Sequence, residues 1–82
     1  MSYDVVWADE ALAAAHRYLA DDREGLAQVF DETDLLAEDP RPSGAFARGV
    51  DRFRIHVGRY RVLYEVVDQT VTVQVLHLGR TG

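Results

Sequence analysis

From Phe53 to Val57 the chain alternates apolar and polar residues, the period of a strand with one face buried. Gly58-Arg59 follows with glycine first, the signature of a two-residue type II′ turn. Tyr60–Val67 then reads as the next strand, Asp68-Gln69 as the next turn and Thr70–Leu78 as the last strand. Upstream, Tyr3–Trp7 is a short apolar run suited to a first strand. Asp9 is a candidate N-cap for a helix through Ala20, with Leu12, Ala15 and Leu19 at helical spacing. Asp22 caps a second helix through Glu38, whose inward stripe is Leu26, Val29, Phe30, Thr33 and Ala37. Pro40 and Pro42 stop it, because a residue before proline avoids the helical region. A short strand is expected at Ala45–Arg48, with Gly49 permitting a bend. The fold class is therefore α+β, β-α-α-β-β-β(-β), an antiparallel sheet covered on one face by a helical hairpin.

The turns fix a register. With Gly58-Arg59 as the loop, Val57 faces Tyr60, Ile55 faces Val62 and Phe53 faces Tyr64. These apolar pairs define the core side. On the other side His56 faces Arg61, Arg54 faces Leu63 and Arg52 faces Glu65, a favourable opposite-charge pair. With Asp68-Gln69 as the second loop, Tyr64 meets Val73 and Val62 meets Val75 on the core side. Thr72, Gln74 and Leu76 then join the open side, and His77 falls on the core side opposite Tyr60. A one-residue slip of the first hairpin would bury Arg54 and Arg61, so its register is strongly specified.

At 82 residues the chain is one domain, 1–82, with a modest core. Its net charge of -5 hides a split. Residues 1–40 hold eleven acidic and two basic side chains, a balance of −9, whereas residues 41–82 hold three acidic and seven basic, a balance of +4. The second half therefore offers a surface for an anion. All nine basic residues are arginine, whose planar fork suits phosphate oxygens. There is no cysteine, which excludes a disulfide framework and a thiolate metal site and fits a reducing, cytoplasmic compartment. Three scattered histidines with no carboxylate at ligand spacing make no metal site, and no motif for a small-molecule cofactor is present. No apolar run is long enough to span a membrane, and the first residues lack the character of a signal peptide.

The chemistry concentrates on the open face. Arg54 and Arg61 stay protonated and can hold a phosphate and its developing negative charge, but neither can accept a proton. His56 can, which makes it the candidate general base. Arg80, just past the last strand, is a candidate for steadying the leaving group, and Arg48 and Arg52 are candidates for RNA contact beside Arg54. Glu65 reads as the partner of Arg52, and Trp7 as core. Two fixed cations beside a base-capable imidazole are what cleavage of a phosphodiester requires.

The order of elements, Asp39-Pro40-Arg41-Pro42 after the second helix, Phe53–Gly58, Tyr60–Val66 and Val73–Arg80 together resemble the RelE/ParE family of bacterial toxins from toxin–antitoxin pairs. The pattern G-x-Y-R-V-x-Y-E, which runs from Gly58 to Glu65, is quite specific to that family. The resemblance to the RelE branch implies an endoribonuclease that cuts mRNA on the ribosome, the 2′-hydroxyl attacking the adjacent phosphate, with a cognate antitoxin as partner. It places Arg54 and His56 at the branch's two basic strand positions, Arg61 at its phosphate-steadying arginine and Arg80 at the basic residue after the last glycine. The ParE branch implies inhibition of DNA gyrase instead. A third reading is a weakly active or non-catalytic homologue whose open face, with Leu63 and Leu76 as apolar anchors, only binds an antitoxin.

Overall fold

Five strands form one sheet in the order β1-β5-β4-β3-β2, and two helices cover one side of it. The computed structural model describes residues 2–81; Met1 and Gly82, the ends of the expected 1–82 domain, lie outside the described residues. The elements are β1 (Asp4–Trp7), α1 (Asp9–Asp21), α2 (Arg23–Leu35), β2 (Phe46–Gly49), β3 (Arg52–Val57), β4 (Tyr60–Val67) and β5 (Thr72–Arg80). The α+β class is as expected. One detail differs: β1 lies parallel to β5, with Val5 beside Val73 and Trp7 beside Val75, so the sheet is mixed. The helical hairpin carries the chain from β1 at one edge of the sheet to β2 at the other, and three further strands bring it back to lie beside β1.

The helices sit close to the sheet because their inner faces are small or branched. Ala11, Ala14 and Ala15 of α1 are buried, with Leu26, Val29 and Thr33 of α2. Leu12, expected inside, is partly exposed, because the alanine side of α1 turns inward instead. Asp22 starts α2 as expected: its carboxylate accepts the Gly25 N–H at 3.0 Å and the Tyr60 hydroxyl proton at 2.8 Å. These bonds hold the Asp22 carboxyl below its usual range, the Gly25 N–H first and Tyr60 second. The approach is so close that a Cβ on Gly25 would lie 2.8 Å from Asp22 Cγ and 2.9 Å from the Tyr60 ring.

The loop after α2 is pinned at its middle, through Pro40 and Arg41. The Tyr64 hydroxyl donates to the Pro40 carbonyl at 2.8 Å. Arg41 reaches Asp68 at 3.0 Å and Asp51 at 3.4 Å, with its guanidinium 5.8 Å from the centre of the Phe53 ring.

The β3–β4 register is the one the turn predicted, through all six pairs from Arg52–Glu65 to Val57–Tyr60. The β4–β5 register is not. The connection is a 3-10 turn at Asp68–Thr70 followed by Val71 in the left-handed region (φ 50°), so Val66 meets Val73 and Tyr64 meets Val75. An irregularity then shifts the ladder, and Leu63 meets His77, Val62 meets Leu78 and Arg61 meets Gly79. Continuing without it would set His77 against the buried Val62 and turn Leu78 outward. The extra residue, Leu76, restores the apolar phase: Leu78 is buried and His77 exposed.

Candidate phosphate-binding trough

On the side of the sheet away from the helices, Arg48, Arg54, Arg61, Leu63, His77 and Gly79 line a trough of about 530 Å³, with Arg80 and Thr81 also in its lining. Each lining residue comes from a definite feature of the ladder. Arg54 and Arg61 stand on β3 and β4 at alternating positions whose neighbours, Phe53, Ile55, Tyr60 and Val62, face the core. Arg48 occupies the irregular step between Ala47 and Gly49, where β2 slips against β3. Gly79 lies directly across from Arg61 and contributes no side chain, which leaves the space above it open.

The electrostatics of the trough are one-sided. Arg41, Arg52, Arg59 and Arg80 each have a carboxylate partner. Among the described residues, Arg48, Arg54 and Arg61 have none within ion-pair distance. The Arg54 Nε is buried and donates to nothing. A buried donor without an acceptor is costly, and the trough beside it has the shape and the charge to supply one as an oxyanion.

The expected site residues distribute as follows. Arg54 and Arg61 come together in the trough, with Arg48 beside them. His56 faces Arg61 across the ladder and is exposed, but its ring packs against Phe46, with centroids 5.4 Å apart. Arg52 is held by Glu65, Nε to Oε2 at 3.4 Å, as the cross-strand pairing predicted. Arg80 pairs with Tyr60 inside β5, and its guanidinium turns to the helix side. There it meets Asp21 at 2.7 Å and lies 4.6 Å from the centre of the Tyr18 ring. The hydrogen bond it donates to the Asp21 carboxylate is the main cause that raises its pKa further.

His77 is the residue that sequence reasoning misplaced. With Asp68-Gln69 as a two-residue loop it falls on the core side; in the structure it lines the trough instead, with Nδ1 3.5 Å from Glu10 Oε1. Its Nε2 sits over Gly79, 3.5 Å from where a Cβ would stand. The signal was present in the sequence: Val73, Val75 and Leu78 break strict alternation by one residue, which is the mark of an inserted strand residue.

The charge split acquires a location. The basic half of the chain supplies the trough. A separate cleft of about 420 Å³ between α2 and β3 is lined by Glu32, Glu38 and Asp39 of the acidic half together with Leu35, Ile55 and His56, which is not part of the trough lining. Among the described residues no helix is long and apolar enough to cross a membrane.

A model of the ParE toxin of type II toxin–antitoxin systems matches residues 5–82. A mutant of the E. coli toxin RelE in the free state superposes with a TM-score of 0.83 at 25% identity, covering 98% of this chain and 84% of that one. The isolated E. coli RelE toxin gives 0.77 at 27% identity over 99% and 86%. The intact E. coli RelBE toxin–antitoxin complex gives 0.74 at 27% identity over 99% of both chains. No curated protein matches the sequence.

Proposed function

Because this chain belongs to the RelE/ParE family as a toxin of a type II toxin–antitoxin system, we propose that it is a RelE-like endoribonuclease that cuts mRNA on the ribosome and is neutralised by a cognate antitoxin. The observation that carries the reading is the convergence of Arg48, Arg54 and Arg61, without carboxylate partners, on one trough that holds an orphaned Arg54 Nε–H. The likeness to RelE and to the RelBE complex supports the branch and the kind of partner.

In this reading Arg54 and Arg61 grip the non-bridging oxygens of the scissile phosphate and stabilise the extra negative charge of the transition state. Arg48 holds the neighbouring backbone. The ribose 2′-hydroxyl attacks phosphorus; a 2′-O–P bond forms and the P–O5′ bond breaks, giving a 2′,3′-cyclic phosphate and a 5′-hydroxyl end. The 2′-hydroxyl proton passes to an imidazole, and solvent water protonates the departing 5′-oxygen. Two imidazoles serve this face. His77 lines the trough, with Nδ1 3.5 Å from Glu10 Oε1 and Nε2 beside Gly79, within the space a bound phosphate would share. We assign the proton to His77 and a binding role to His56.

A second reading, gyrase inhibition, is favoured by one fact: the matching family model is that of ParE. Incubation with programmed ribosomes and, in parallel, with gyrase and supercoiling substrate separates the two. Cleaved mRNA with cyclic-phosphate ends supports the first; intact mRNA with inhibited supercoiling supports the second.

A further inference from the structure

We infer that Phe46 and His56 form a stacking platform for a nucleobase of single-stranded RNA, set beside the arginine trough. The inference rests on the trough holding an RNA phosphate and adds the subsite for the adjoining base.

Phe46 is the exception among the aromatic side chains. The chain has eight, and seven of them belong to the hydrophobic core or pack against it: Tyr3, Trp7, Tyr18, Phe30, Phe53, Tyr60 and Tyr64. Phe46 stands on the edge strand β2, all of whose residues are exposed, and leaves 54% of itself uncovered. Packing gives no reason for a phenyl ring there, where a polar residue would serve the edge of a sheet better.

Its position supplies a reason. Phe46 lies directly across the ladder from Arg54, whose Nε lacks an acceptor. Side chains paired this way stand about 5 Å apart at Cβ. The ring leans on the His56 imidazole at 5.4 Å with the planes 43° apart, and His56 in turn faces Arg61. A nucleotide whose phosphate rests on Arg54 and Arg61 thus brings its base to an aromatic surface one rung away. Aromatic faces beside a cationic groove are how single strands are held without reading their sequence, since every base has a π-face. The partner is RNA and not an apolar peptide because the ring is bordered by unpaired guanidinium groups, which an apolar peptide would have to desolvate without return.

The test uses the full chain and a short single-stranded RNA with 2′-O-methyl riboses, which cannot cyclise, carrying one 2-aminopurine. Binding quenches the 2-aminopurine fluorescence. Phe46→Ala abolishes the quench and weakens binding by about tenfold, whereas Phe46→Trp keeps both. Circular dichroism of Phe46→Ala matches the parent, because the ring is outside the core. Arg54→Ala weakens binding whichever residue stacks, so it reports on the phosphate grip alone. A quench that survives Phe46→Ala, or is lost in Phe46→Trp, overturns the platform and leaves the trough standing. A parent protein that binds no RNA at millimolar concentration overturns both.

Discussion

Arg61 and Gly79 face each other across β4 and β5, and the missing side chain at position 79 is what opens the trough above the arginine. The pairing depends on the extra residue in β5. A Cβ at position 79 would meet only His77, at 3.5 and 3.9 Å, which is ordinary contact. Gly79→Leu is therefore expected to fold normally and fill the trough. Thermal unfolding should stay within a few degrees of the parent while RNA cleavage falls below detection. Full cleavage by a folded Gly79→Leu protein would remove the trough from the mechanism.

The two imidazoles should separate cleanly. Removing a general base costs about 10²- to 10⁴-fold in rate. His77→Ala is expected to lower single-turnover cleavage by that amount with little change in RNA affinity. His56→Ala is expected to weaken affinity and spare the rate at saturating RNA. The reverse pattern would return the proton to His56, where the β3–β4 register alone had placed it.

Tyr64 makes alkaline stability a readout of the loop that follows α2. Burial, with the charge of Asp39 second, pushes its hydroxyl up to about 12 from an ordinary 10.0. In the folded state the phenol stays neutral, while in the unfolded chain it ionises near 10. The contribution is therefore complete below pH 10 and lost as pH rises through about 12. Denaturant titrations from pH 8 to 12 should show stability falling over that window in the parent and falling less in Tyr64→Phe. At pH 8 the same variant should lose about 1 kcal/mol, because the Pro40 carbonyl gives up its partner.

Gly25 sets helix propensity against steric fit. Alanine is favoured over glycine inside a helix by up to about 1 kcal/mol. Here its methyl would displace the Asp22 carboxylate and press on the Tyr60 ring. Overpacking costs about 1–3 kcal/mol and takes the cap with it, so the clash wins. Gly25→Ala should lower the denaturant midpoint; a raised midpoint would mean that Asp22 moves aside freely.

The legible and illegible parts of this fold divide at the two turns. Gly58-Arg59 announces its turn type, and the apolar pairs on either side admit one register, so β3 and β4 could be paired residue by residue. The Arg52–Glu65 contact followed from that pairing. Asp68-Gln69 resembled a two-residue loop, but the chain makes a longer connection, and Val71 takes a left-handed conformation unusual for a branched residue. Nothing local declares that. The outward place of His77 is legible in the sequence, because the burial that Leu78 demands requires an extra residue after Val75. Arg80 was placed by its position after Gly79, and no pattern along the chain showed that Asp21 and Tyr18 would draw its guanidinium to the helix side.

The central claim is that the arginine trough cuts RNA, and one experiment meets it directly: purified protein incubated with mRNA-programmed ribosomes, with the new ends mapped and their chemistry identified. The account predicts cleavage that leaves a 2′,3′-cyclic phosphate, reduced by at least about 10²-fold in Arg54→Ala and in Arg61→Ala. Messenger RNA left intact by the folded parent protein, or cut equally well by both arginine variants, would contradict it.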